Sequence, residues 1–310
     1  MLKQVIEIYE LLDDANINGG KVAEFLKSRG LVKIKVNKIN RKGGSTDFIK
    51  IIISGKEGKE KNGKALTLGI IGRLGGIGAR PDRIGLVSDA DGAITALSCA
   101  LKLADMKNKE DVLRGDVIIA THICPNAPAQ PHEPVPFMGS PVNMAEMNRH
   151  EVDPAMDAIL SIDTTKGNRI INHRGFAITP TVKEGYILRI SEDLLNIMEW
   201  TTGTSPRIVP ITTQDITPYG NGLFHMNSIM QPCTATNAPV VGVAITAETA
   251  VPGCAIGASH EVDIEEAGRF CIEVAKAFTD GKCKFYDEKE FKSIVKLYGP
   301  MNILQTMGGK

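Results

Sequence analysis

Five apolar runs in this chain stop at a residue able to ligate a metal or move a proton. Ile84–Ser88 runs into Asp89, Asp116–Thr121 into His122, Ala158–Ile162 into Asp163, Arg207–Gln214 into Asp215 and Val240–Ala247 into Glu248. In open α/β sheets, ligands bind beyond the carboxyl ends of the strands. If these runs are parallel strands, their terminal side chains meet at one rim and suit acid–base or metal chemistry. Each also has a plainer reading. Asp89 or Asp91 would cap the helix that follows, and Asp163 would hold a turn.

Other motifs narrow the chemistry. Asp89-Ala-Asp91-Gly92 opens like a calcium loop, but an EF-hand needs glycine at its sixth position and glutamate at its twelfth. Those positions are Ile94 and Ala100. Gly72-Arg-Leu-Gly75-Gly76-Ile-Gly78 follows a strand, yet Ala79-Arg80-Pro81 and a further apolar run leave no room for the helix that a dinucleotide loop requires. Sharp turning or close approach to a ligand explains these glycines better, with Arg73, Gly75 and Gly76 as ligand contacts. Cys124–Pro141 holds Pro125, Pro128, Pro131, Pro134, Pro136 and Pro141 around His132 and Glu133. Its spacing of three suits polyproline II, as a binding loop or as a stiff connector. Ala258-Ser259-His260-Glu261 stands before a helix, where His260 is a ligand or a helix-start partner. The sequence has no Gly-x-Ser-x-Gly elbow, His-Glu-x-x-His pair or Walker loop.

The elements that must position these residues read as follows. Residues 1–30 form two short helices split at Gly19-Gly20, and Val32–Ile39 and Phe48–Ser54 suit a hairpin turning at Arg41–Ser45. Strands follow at Ala65–Gly72, Ile84–Ser88, Asp116–His122 and Ala158–Asp163, with a helix over Ala93–Met106. Further strands are expected at Phe176–Val182, Tyr186–Ile190, Arg207–Thr213 and Val240–Thr246, and a helix at Ser191–Trp200. Asp263 and Glu266 form a capping box for a helix ending near Gly281, and Glu288–Leu297 is the last helix. The alternation predicts an α/β fold with a mostly parallel central sheet flanked by helices. One domain spans 1–310, with N-terminal elements at 1–64, a core at 65–281 and a C-terminal helix and tail at 282–310.

Composition excludes several classes. The 310 residues carry 36 basic and 36 acidic side chains, so the strong positive field of a nucleic-acid binder is missing. There is no run of about 18 apolar residues to cross a membrane. Met1–Ala15 alternates charged and apolar residues, unlike a signal peptide. Cys99, Cys124, Cys233, Cys254, Cys271 and Cys283 include no Cys-x-x-Cys pair, which suits a reducing cytoplasm.

Val87-Ser-Asp89-Ala-Asp91-Gly92-Ala-Ile-Thr-Ala-Leu, followed by Gly115-Asp-Val-Ile-Ile, resembles the core of the co-catalytic zinc aminopeptidases and related deacylases. Ser161-Ile-Asp163 and Gly257-Ala-Ser259-His260-Glu261-Val-Asp263 continue the likeness, which covers roughly Leu66–Thr279 and suggests a divergent bacterial family related to those peptidases. The resemblance implies a three-layer fold without the inserted lid domain, and a divalent metal, zinc before manganese or cobalt. Asp89, Asp163 and His260 would be ligands. Two departures stand out. Arg73-Leu-Gly75 replaces a His-x-Asp, and Cys124-Pro125 falls where a Glu-Glu pair should supply a ligand and the general base. His122 would then substitute as a ligand, and Glu133, Glu248 or His132 as the base. The expected activity is metal-dependent hydrolysis of short peptides or acylated amino acids. The alternative is a non-catalytic protein that binds a small molecule or peptide on the same rim, with Arg73 pairing with a carboxylate or phosphate. A homo-oligomer is expected either way. The methionine-rich Met138–Met156 stretch offers adaptable apolar surface, or else fills the core.

Overall fold

The computed structural model describes residues 1–41, 44–73, 77, 86–125, 129–131, 137–166, 170–211, 227–251 and 259–306. Its helices are α1 (Leu2–Leu12), α2 (Gly19–Ser28), α3 (Asp91–Lys107), α4 (Met144–Glu151), α5 (Glu192–Thr202), α6 (Glu261–Thr279) and α7 (Glu288–Tyr298). Its strands are β1 (Ile34–Arg41), β2 (Gly44–Ile53), β3 (Leu68–Gly72), β4 (Val117–Ile123), β5 (Ala129–Gln130), β6 (Phe137–Met138), β7 (Ala158–Thr164), β8 (Gly175–Ile178), β9 (Val182–Lys183), β10 (Tyr186–Ile187) and β11 (Val240–Thr246).

One large sheet runs β1-β2-β4-β3-β7-β11-β9-β10, with β8 also paired to β11, while β5 and β6 pair separately. Only its centre is parallel: β4, β3, β7 and β11 run together. β2 adds to β4 antiparallel, β1 returns on β2, and β8 and β9 oppose β11. The sheet is therefore mixed, which corrects the expectation of a mostly parallel one. The hairpin over Arg41–Ser45 does form, but it extends the sheet antiparallel at one edge. At the other edge Pro180 separates two short antiparallel strands, because proline has no N–H for the ladder. Of the expected strand Ile84–Ser88, Leu86 and Val87 are not in a strand and Ser88–Ala90 is a 3-10 turn leading into α3. Among the described residues of Arg207–Thr213, Ile208 makes an isolated bridge to Ile178 and none lies in a strand.

The central strands bury both faces, as parallel strands do. On one face α3 lies under α1 and α6, and Ile70, Ile119, Leu160 and Val243 pack with Ile94, Leu97, Leu101, Ile264 and Phe270. On the other face Ile71, Ala120, Ile159 and Ala244 meet Met156, Ile229 and Met230. The start of α3 is pressed onto the strand ends by two glycines. A Cβ on Gly72 would stand 2.3 Å from the Gly92 carbonyl oxygen, and one on Gly92 would stand 2.5 Å from that of Arg73. Met144, Met147 and Met156 are buried, so these three methionines fill core instead of offering surface.

Candidate functional site

The registers of the parallel strands bring three of the expected residues side by side. Gly72 lies opposite Thr121 on β4 and Ile162 on β7. The next positions are Arg73, His122 and Asp163, and the Arg73 N–H continues the ladder to the Ile162 carbonyl at 2.8 Å. The carboxyl edge of the parallel strands thus carries these three polar side chains. They do not converge on one point, because neighbouring helices draw them into two clusters.

The first cluster lies between the sheet and α4. Arg73 Nη1 donates to Glu151 Oε2 at 2.5 Å and to Asn148 Oδ1 at 3.2 Å, and Arg73 Nη2 reaches Met144 Sδ at 3.0 Å. His122 Nδ1 is 2.6 Å from Glu151 Oε1. Arg73, Glu151 and His122 are all buried. Burial pushes the Glu151 carboxyl up, but Arg73 and His122 outweigh it and hold it below the usual carboxylate range. Asn148 anchors the group by donating to the Gln231 carbonyl at 3.1 Å. Met144, Met147, Asn148 and Glu151 share one helical face at spacings of three, one and three. Asn143 starts this helix by accepting from the Glu146 N–H. Arg73 is thus held inside the protein, with its guanidinium facing α4.

The second cluster lies at the start of α3. Asp91 is fully buried. Its Oδ2 accepts from Lys166 Nζ at 2.5 Å and its Oδ1 from Ser259 Oγ at 2.5 Å. Lys166 is also buried, whereas Ser259 is half-exposed. Burial pushes the Asp91 carboxyl up, against the pull of Lys166, Ser259 and the nearby His260. Between the clusters, Asp163 accepts from the Thr164 N–H at 2.7 Å and from Ser228 Oγ at 3.1 Å. Asp89 is buried in the 3-10 turn that packs against β7.

The remaining candidates are scattered. The half-exposed His260 turns its Nδ1 to Asp263 Oδ2, 3.3 Å away. It is the N-cap of α6, which begins at Glu261, so Asp263 sits in the first turn and is not the cap. Glu248 is exposed in the turn after β11. His132, Glu133, Gly75, Gly76 and Asp215 lie outside the described residues.

Lys166, Glu151 and Ser259 are not among the residues that the sequence singles out. Lys166 follows β7 by two residues and belongs to the strand-end pattern, but lysine is not a common metal ligand, so a pattern of carboxylates and imidazoles does not include it. Glu151 sits on a helix whose inner face mixes methionine, asparagine and glutamate, so it has no apolar stripe to reveal it.

Residues 37–308 match the family described as "Protein of unknown function (DUF1177)". The chain belongs to this family. A comparison with the curated proteins finds no match. The likeness to the zinc aminopeptidases does not hold, since the family that matches is DUF1177 and the ligand set does not assemble. Among the described residues no group of three or more His, Cys, Asp or Glu side chains could hold a metal ion. Asp89, His122, Asp163 and His260 do not meet as a ligand set. One ring nitrogen of His122 is committed to Glu151, and that of His260 faces Asp263. No helix among the described residues is long and apolar enough to cross a membrane.

Proposed function

We propose that this DUF1177 protein is an enzyme of small amide or acyl substrates, and that its working group is Asp91 with Lys166 and Ser259. The observation that carries this reading is the pairing of a fully buried carboxylate with a buried lysine at the carboxyl edge, with a reachable hydroxyl on the same carboxylate. Buried ion pairs are costly to keep. Here the pair stands where open α/β sheets bind their ligands. Among the described residues no group of three or more His, Cys, Asp or Glu side chains is available to a zinc, manganese or cobalt ion.

A panel of short peptides and N-acylated amino acids, followed by chromatography for turnover and by thermal shift for binding, tests the reading. Asp91→Asn should lower turnover by about 10²–10⁴-fold, the range for loss of a positioned proton-transfer group. No turnover of any member, or unchanged turnover in Asp91→Asn, overturns it. One observation favours a second reading, a binding protein without catalysis: Arg73 and His122 are held in a buried hydrogen-bonded network with Glu151. Saturable binding without turnover is its signature.

Self-association belongs to the same proposal. Leu297, Tyr298 and Ile303 are exposed on and after α7, and Trp200 on α5. A reducing compartment is supported by Cys99, Cys124, Cys233, Cys271 and Cys283, which are all buried.

A further inference from the structure

We infer that Ser259 is a nucleophile that carries the acyl group as a transient ester, with Asp91 as its proton acceptor and Lys166 as the group that positions Asp91. The inference rests on the reading of this edge as a substrate site and specifies its chemistry.

Three observations support it. The Ser259 hydroxyl donates to Asp91 Oδ1 at 2.5 Å, the length of a charge-assisted O–H···O⁻ bond, so the proton is already aimed at its acceptor. A nucleophile hydrogen-bonded to a base that a third group orients is the general signature of covalent catalysis. Lys166 supplies the orientation from the opposite oxygen of Asp91, also at 2.5 Å. Exposure falls along the chain of contacts. Ser259 is half-exposed, while Lys166 is 4% and Asp91 0% exposed. Ser259 is therefore the member of this chain that a substrate can approach from solvent. Finally, Ser259 lies just before α6, and Asp91 is the first residue of α3. The flanking residues His260 and Ala90 make no side-chain capping bond. The positive end of each helix therefore lies next to the group it carries, Asp91 on α3 and Ser259 beside α6.

The step balances within these groups. Ser259 Oγ bonds to the carbonyl carbon of an amide or ester as its proton passes to Asp91 Oδ1. The C–N or C–O bond then breaks, and the leaving amine or alcohol takes that proton. Water next attacks the acyl ester and gives a proton to Asp91. The ester bond breaks, and Ser259 Oγ recovers the proton. Lys166 stays an ammonium throughout. A purely structural role for Ser259, satisfying one oxygen of Asp91, predicts the same hydrogen bond but no covalent adduct.

The test uses the full chain with a fluorophosphonate and with p-nitrophenyl acetate, read by intact mass and peptide mapping. A stoichiometric adduct on Ser259, absent in Ser259→Ala, is the expected result. Asp91→Asn should slow labelling at least about 100-fold. Mapping is done on the wild-type protein, so an unfolded variant does not weaken it. If neither reagent modifies Ser259, the nucleophile is overturned. Should substrates of the panel still turn over or bind in that case, the edge remains a site and only its covalent step falls. Without adduct, turnover or binding, both readings fall together.

Discussion

At the scale of single residues, two buried carboxylates respond to pH in opposite directions. Glu151 is held below the usual range by Arg73 and His122. Its contribution to stability is therefore present above the ordinary carboxylate pKa and is lost as pH falls through the folded value. Asp91 is pushed up by burial, so its contribution is present at low pH and lost as pH rises through its folded value. Removing one partner of a buried ion pair leaves the other charge unpaired, which costs about 3–5 kcal/mol. Glu151→Gln should lose stability of that size in urea unfolding at pH 7. Its stability should also fall less steeply than wild type as pH is lowered from about 5, because the carboxylate that titrates is gone. A loss below about 1 kcal/mol would show that the Arg73–Glu151–His122 network is not a structural anchor. The strand-end positions were legible at this scale: Arg73, His122 and Asp163 do stand in register at one edge. Their partners were not legible. Glu151 lies 29 residues from His122 and Ser259 lies 168 from Asp91. No local spacing announces a hydrogen bond across such distances, and so the ligand set drawn from the strand ends was the wrong grouping.

At the scale of elements, the helix that carries Asp91 depends on having almost no separation from the sheet. Gly72 and Gly92 are in contact where β3 ends and α3 begins, and neither has room for a methyl group. The obstructing atoms are backbone carbonyls, which cannot swing aside as a long side chain can. Gly92→Ala should therefore cost about 1–3 kcal/mol, the usual range for overpacking, despite the better helix propensity of alanine. It should also weaken the Lys166–Asp91 contact by shifting the start of α3. A Tm equal to or above wild type would show that the helix moves freely on the strand ends. The sequence carried most of these elements. The apolar runs of β3, β4, β7 and β11 and the stripes of α3 and α6 were readable from periodicity, because burial on both sheet faces and on one helix face leaves that imprint. Strand direction was not. An intervening helix does not by itself make two strands parallel. α3 lies between β2 and β4 in the chain and α5 between β10 and β11, yet β2 pairs antiparallel with β4, and β8 and β9 pair antiparallel with β11. α4 escaped for a different reason, since its buried face is largely polar and a hydrophobicity pattern passes over it.

At the scale of the whole molecule, the cysteines report on both faces of the sheet. Cys99 and Cys271 lie where α3 meets α6, and Cys283 belongs to the same core. Cys233 lies in the core on the opposite face. Burial pushes the thiols of Cys233 and Cys283 up to about 12 and that of Cys271 well above its ordinary value, the last helped by the adjacent Cys99. The thiolate is the reactive species, so at pH 8 only about one such group in 10⁴ is ionised at any moment, and reagent access is blocked as well. Alkylation of these residues must then wait for the structure to open. Iodoacetamide labelling in increasing urea, mapped by peptide mass, should show Cys99, Cys271 and Cys283 losing protection together. Cys233 should follow at the same urea concentration, because β3, β4, β7 and β11 supply both cores and neither face can separate without breaking the strands they share. If Cys233 becomes labelled well below the others, the face that holds Arg73, Glu151 and His122 unfolds as a separate unit. Asp91, Lys166 and Ser259 would then rest on the α3–α6 side alone, and variants of Glu151 would leave their chemistry untouched.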